Sequence, residues 1–77
     1  MKAIINCAAI KKVFLVDEYN TIELRMEFFD EETPSILKRG TFSSSSDKEK
    51  NRKYIDRIYS EIKDALLNGS KYIDIEI

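Results

Sequence analysis

Two hydrophobic periods divide the chain. Ile22, Leu24, Met26 and Phe28 fall at every second position with Glu23, Arg25 and Glu27 between them, the pattern of a strand buried on one face and wet on the other. Ile55, Ile58, Tyr59, Ile62, Ala65 and Leu66 instead recur three and four apart, while Lys50, Lys53, Arg57, Ser60 and Asp64 take the opposite side; this predicts one amphipathic helix. Both helix ends are punctuated. Ser46 and Glu49 have the spacing of a capping box, and Asp47 puts a negative charge where the helix dipole favours one. Asn68-Gly69 offers a residue at ease with positive φ, so the helix is expected to stop there. A helix of this length gains too little from its own hydrogen bonds to stand alone and needs a partner surface.

The other segments supply that surface. In the first nine residues Ala3, Ile5, Cys7 and Ala9 share one face, and Ile4, Asn6 and Ala8 share the other, as in an interior or interface strand. Val13-Phe14-Leu15-Val16 extends it through a bend or bulge, or forms a second strand. Residues 17–20 are a polar turn whose Asn20 tolerates positive φ, which makes the period-two segment the second arm of a hairpin. Pro34 ends that arm, because it lacks an N–H and restricts Thr33. A strand follows over 35–42, where Gly40 marks a bulge or a close backbone approach. Ile73, Ile75 and Ile77 alternate with Tyr72, Asp74 and Glu76 in a last strand. The expected fold is α+β in two layers, forming one domain over 1–77. A mostly antiparallel sheet of about four strands carries one amphipathic helix on one face, in the order β-β-β-α-β. Its core sets the helix stripe against Ile22, Leu24, Met26, Phe28, Ile73, Ile75 and Ile77.

Composition acts mainly by exclusion. The 77 residues lie near the lower limit for a core held without metals or disulfides, which keeps a homodimer in view. Thirteen basic and fourteen acidic residues leave a net charge of −1, so bulk charge selects no partner. The absence of histidine removes the commonest general base and most zinc sites. Two glycines cannot build a phosphate-cradling loop. Cys7, the one cysteine, allows no internal disulfide, suits a reducing compartment and reads as a small buried residue. Asp30, Glu31 and Glu32 lack the alternating ligands and central glycine of a calcium loop. No catalytic residue, metal ligand or cofactor is therefore assigned. With no bilayer-length apolar run and no recognisable leader, the expected location is the cytoplasm, with no membrane partner.

Three functional readings remain. The first is a non-enzymatic protein-interaction module. Its partner-binding residues would be Glu23, Arg25, Glu27, Tyr72, Asp74 and Glu76 on an outer sheet face that also bears Phe29, with Tyr19 in a turn. Exposed tyrosines suit interfaces because they bury much area for little rotamer entropy. The small size and the Ile-, Lys-, Asn- and Glu-rich composition, typical of AT-rich coding, fit a phage- or mobile-element-encoded inhibitor or regulator of a host protein. The second is weak nucleic-acid binding by Lys50, Lys53 and Arg57, where Lys48 and Arg52 also crowd the helix. Three phosphate contacts give a log–log salt slope of only about −2.7. Asp47, Glu49 and Asp56 dilute the field, and an i,i+4 pair of Glu49 with Lys53 would make the same side an ordinary solvated face. The third is capture of a small anion at a dimer seam near serines 43–46. Tyr54 and Tyr59 flank the helix stripe and read as its edge.

Overall fold

A computed structural model describes residues 2–76 and realises both hydrophobic periods. It contains β1 (Lys2–Asn6), β2 (Ile10–Glu18), β3 (Thr21–Phe28), β4 (Ser35–Thr41), α1 (Ser45–Leu67) and β5 (Tyr72–Glu76). The fold is α+β with the order β-β-β-β-α-β, one strand more than expected. The strands form two antiparallel sheets, β2-β3-β4 and β1-β5. The extra strand arises because residues 2–18 break at a 3-10 turn, Cys7–Ala9. There the Asn6 side-chain oxygen accepts the Ala8 N–H at 3.0 Å, a local bond that competes with the strand ladder. Across this kink the Cys7 N–H bonds the Lys71 carbonyl at 2.9 Å and the Phe29 N–H bonds the Ala9 carbonyl at 3.0 Å. The turn is therefore the joint between the two sheets.

Two register shifts choose the side chains that meet the helix. In β2, Ile10 lies opposite Phe28 while Lys12 lies opposite Glu27. The extra residue returns Ile10 to the face of Val13 and Leu15, although their spacing is uneven. In β4 the register slips between the Leu24–Lys38 and Arg25–Ile36 pairs. Leu37 then packs against the core, and Ile36 emerges half exposed on the far face. The core comprises Ile22, Leu24 and Met26 from β3, Ile55, Ile58 and Ile62 from α1, Ile73 and Ile75 from β5, and Ile5 and Ile10. Phe28 packs against it at partial exposure. Ile77, expected in this core, lies outside the described residues.

The helix touches β2, β3, β4 and β5 and is the element both sheets share. Its 23 residues span roughly 34 Å at 1.5 Å per residue, against a longest molecular dimension of 37 Å. Its N-cap is Ser44, two residues before the expected Ser46. Ser44 Oγ accepts the Asp47 N–H at 3.2 Å, and the Asp47 carboxylate takes the Ser43 hydroxyl. Within four consecutive serines the local signal is degenerate. The Phe42 N–H, bonded to the Asn20 carbonyl at 2.8 Å, sets where the sheet releases the chain. At the C-terminus Gly69 has φ 71°. Its N–H bonds Leu66 at 3.2 Å and the Ser70 N–H bonds Ala65 at 3.0 Å, the paired bonds of a Schellman cap.

The hairpin turn is tighter than expected. Asp17 and Glu18 belong to β2, so Tyr19-Asn20 alone make the turn. Among the described residues only glycine has positive φ, so Asn20 does not use the conformation open to it. Gly40 marks a close approach, as read from the sequence. A Cβ there would lie 2.5 Å from Phe42 Cζ and 3.3 Å from Ile55 Cδ1.

Ile58→Ala should cost about 2–5 kcal/mol through lost burial and a residual cavity. Gly69→Ala should cost about 1–2 kcal/mol, because an L side chain disfavours the left-handed region. Urea unfolding with an unchanged m-value measures both; a cost below about 1 kcal/mol for Ile58→Ala would contradict the packing described.

Candidate functional site

The helix covers only the inner face of the β2-β3-β4 sheet. On the other face the register aligns Val16, Glu23 and Arg39 in one cross-strand row and Phe14, Arg25 and Ile36 in the next. Alternation places Glu23 on this outer face, where it was expected to be wet, yet it is 4% exposed. Arg25, two residues on along the strand, brings Nη2 to 2.5 Å from Glu23 Oε1, and Arg39, directly opposite, brings Nε to 2.9 Å from Oε2. The two guanidinium groups lie over the carboxylate and exclude water from it. The Arg39 approach is close but not aligned as a hydrogen bond, which leaves Glu23 Oε2 buried without a hydrogen-bond partner; Arg25 Nε is buried without one as well. Such a network is strongly coupled and only partly satisfied. Around it Phe14 and Val16 are half-buried, and the Lys12 ammonium sits 5.1 Å from the Phe14 ring centre.

Tyr72, Asp74 and Glu76 do not join this face. They are exposed on β5, opposite Asn6, Ile4 and Lys2 of β1, in the other sheet. The single outer face expected from alternation is thus divided, because the kink at Cys7–Ala9 lets β1 leave the line of β2 and pair with β5. Ile4 stands 75% exposed beside this group. Phe29 lies in the turn after β3, and Tyr19 projects from the hairpin tip. Glu23, Arg25 and Glu27 therefore remain together, Tyr72, Asp74 and Glu76 form a second group, and Tyr19 stands apart.

A third cluster was not recognised from sequence. Asp17 shares the inner face with Ile22, its partner in register, at the end of the sheet where α1 begins. The buried Lys48 donates from Nζ to Asp17 Oδ1 and to the Glu18 backbone carbonyl. Arg52 Nη1 lies 2.9 Å from Asp17 Oδ2 and its Nε 3.6 Å from Asp56. These bonds tie the β2–β3 hairpin to the second turn of the helix. A signal was present: Lys48, Ile55 and Ile62 recur at sevens, so the lysine lies on the apolar stripe and needs a buried partner. The Lys48 hydrogen bond holds the Asp17 carboxyl below the usual carboxylate range; partial burial opposes it, and the Lys48 and Arg52 charges reinforce it.

Lys50, Lys53 and Arg57 are exposed along the outer side of α1. The expected Glu49–Lys53 pair does not form; the helix-surface pairs are Arg52–Asp56 and Arg57–Glu61, the latter at 2.7 Å. Longer, planar guanidinium groups reach carboxylates one turn away with better geometry than an ammonium. Tyr54 is 42% exposed, more than a core-edge residue. Lys38 from β4 lies 5.4 Å from its ring centre and Arg57 5.3 Å. Beside it a cavity of about 220 Å³ opens between β4 and α1. A larger, shallower groove of about 540 Å³ lies around Cys7, between the helix end and the start of β5. At residues 43–46 the Ser43 and Ser44 side chains bond Asp47 of the helix's own first turn. Among the described residues no three His, Cys, Asp or Glu side chains are grouped to hold a metal ion, and no helix is long and apolar enough to cross a membrane.

The geometry defines an α+β chain with one sheet face left uncovered and a basic, aromatic helix side. No protein family, curated protein or solved structure matches it.

Because the Asp17 carboxyl is held low in the folded chain, folding binds its proton less tightly than the unfolded chain does. The resulting stability is complete above the ordinary aspartate range, near about 3.9, and is lost as pH falls through the lower folded value. The stability gap between wild type and Asp17→Asn should be widest near neutral pH and should close on acidification. Urea unfolding across that range measures it, and a gap independent of pH would contradict the tether.

Proposed function

We propose that the protein is a non-enzymatic interaction module whose partner is another protein, docked on the uncovered face of the β2-β3-β4 sheet. The supporting observation is the centre of that face, where Phe14, Val16 and the half-exposed Ile36 surround a carboxylate sealed under Arg25 and Arg39. Apolar and aromatic side chains with arginine at the centre, and acidic residues such as Glu27 at the rim, are the composition of a contact patch. A sheet braced from behind by a packed helix presents that patch with little ordering cost on binding. In this reading the protein acts by occupying its partner, as a small inhibitor or regulator carried by a phage or mobile element would. Tyr72, Asp74 and Glu76, with Ile4, supply a second contact area on the other sheet.

Charge reversal at Glu23 is not a clean test, since it would strand two guanidinium groups over a buried cation. Ile36→Glu combined with Glu27→Lys alters the exposed part of the face and spares the core. Binding partners isolated with immobilised wild-type protein should be lost with this variant. They should be retained by Lys50→Glu, on the opposite side of the molecule, with unfolding free energies of both variants within about 0.5 kcal/mol of wild type. Equal capture by the Ile36→Glu/Glu27→Lys variant would remove the sheet face as the contact surface.

A further inference from the structure

We propose that the seam between α1 and β4 is a binding site for single-stranded nucleic acid, with one base entering the cavity and the adjoining phosphates following the helix. The site lies across the sheet from the protein-contact face and stands or falls independently of it.

The cavity of about 220 Å³ has the volume of roughly seven waters at ~30 Å³ each, room for one planar ring system. Gly40, Phe42 and Ile55 line it with apolar surface, and Lys38, Asn51 and Tyr54 supply its polar and aromatic boundary. Gly40 lets the Phe42 ring and Ile55 pack directly on the β4 backbone at this wall of the cavity, since any side chain on it would point into them. The Asn51 amide donates to the Asp47 carbonyl at 2.7 Å, which anchors that side chain on the helix.

Charge is gathered at the same place by two elements distant in sequence. Lys38 of β4 and Arg57 of α1 both lie over the Tyr54 ring, at 5.4 and 5.3 Å from its centre. Lys50, Lys53, Tyr54 and Arg57 follow one another at helical spacing, so the outer cations span about 10 Å of helix axis. Among the described residues Lys38, Lys50 and Lys53 take part in no ion pair, and Arg57 alone is matched, by Glu61. Of the other acids near the stripe, Asp47 takes the Ser43 hydroxyl, Asp56 faces Arg52, and Glu49 forms no ion pair with any of these cations. Unpaired lysines beside Arg57, a partly exposed aromatic ring and a partly apolar cavity match what an unpaired strand offers: spaced phosphates and bases with open faces. A duplex offers phosphates and groove edges but no open base face, because its bases are stacked inside.

The test is fluorescence anisotropy of the full chain with labelled single strands of about 12 nucleotides, the matching duplex, and unlabelled polyphosphate as competitor. Single strands should bind in preference to duplex. Affinity should fall roughly 20- to 50-fold between about 50 and 200 mM salt, as three or four phosphate contacts require. Lys53→Glu, wholly on the surface, should weaken binding and flatten that dependence. Tyr54→Ala should weaken it about 5- to 150-fold while Tyr54→Phe retains it, which a purely electrostatic contact would not show. No binding at the lower salt, equal affinity for duplex, displacement by polyphosphate as effective as by unlabelled strand, or an unaltered affinity in both Lys53→Glu and Tyr54→Ala would overturn the proposal.

Discussion

Burial of Ile55, Ile58 and Ile62 against two separate sheets is the interaction on which the structure depends. Neither sheet is self-sufficient: one has two strands and the other three, and each has one face with no second layer of its own. A two-stranded ribbon is marginal by itself in water. The helix runs nearly the full length of the molecule and gives both sheets the same apolar stripe to pack on. Loss of that stripe would remove the surface that β1-β5 and β2-β3-β4 share, while the kink at Cys7–Ala9 and the bonds beside it link them at one end.

Charged side chains perform part of the structural work usually left to a larger core. Lys48 and Arg52 converge on Asp17 and hold the hairpin tip to the start of the helix, while Arg25 and Arg39 close over Glu23 on the opposite side of the same sheet. Both arrangements bury an ionised group beside its partners, so either is costly to break at one end. They also withdraw charges from the surface inventory. Of five basic residues crowding the first half of the helix, Lys48 and Arg52 face inward to the hairpin, which leaves Lys50, Lys53 and Arg57 as the outward set. The arginines at the sheet centre are likewise drawn over Glu23, and pre-organised side chains lose little entropy on binding.

Uncommitted surface is thereby distributed between two sides of one layer. The sheet needs its inner face for the helix and has nothing of its own to cover the outer one, while the helix needs only its isoleucine stripe for the sheets and keeps a basic flank in solvent. A chain this short meets the demands of folding with one face of each element. The faces left over are where contacts with other molecules can be built without disturbing the core.

Periodicity alone determined the helix, its buried stripe, its glycine stop, the inward alternation of β3 and β5 and the α+β class, because these follow from local spacing and backbone preference. Ser44 in place of Ser46 as cap shows the limit of such signals where four like residues stand together. The pairing of β1 with β5, the division into two sheets, the burial of Glu23 under Arg39, and the meeting of Lys38 with Tyr54 and of Lys48 with Asp17 were decided only in the tertiary structure. Each joins residues far apart in the chain, and each depends on a register slip, a kink or a shared packing surface. None of those leaves a mark within the few residues that local spacing can compare.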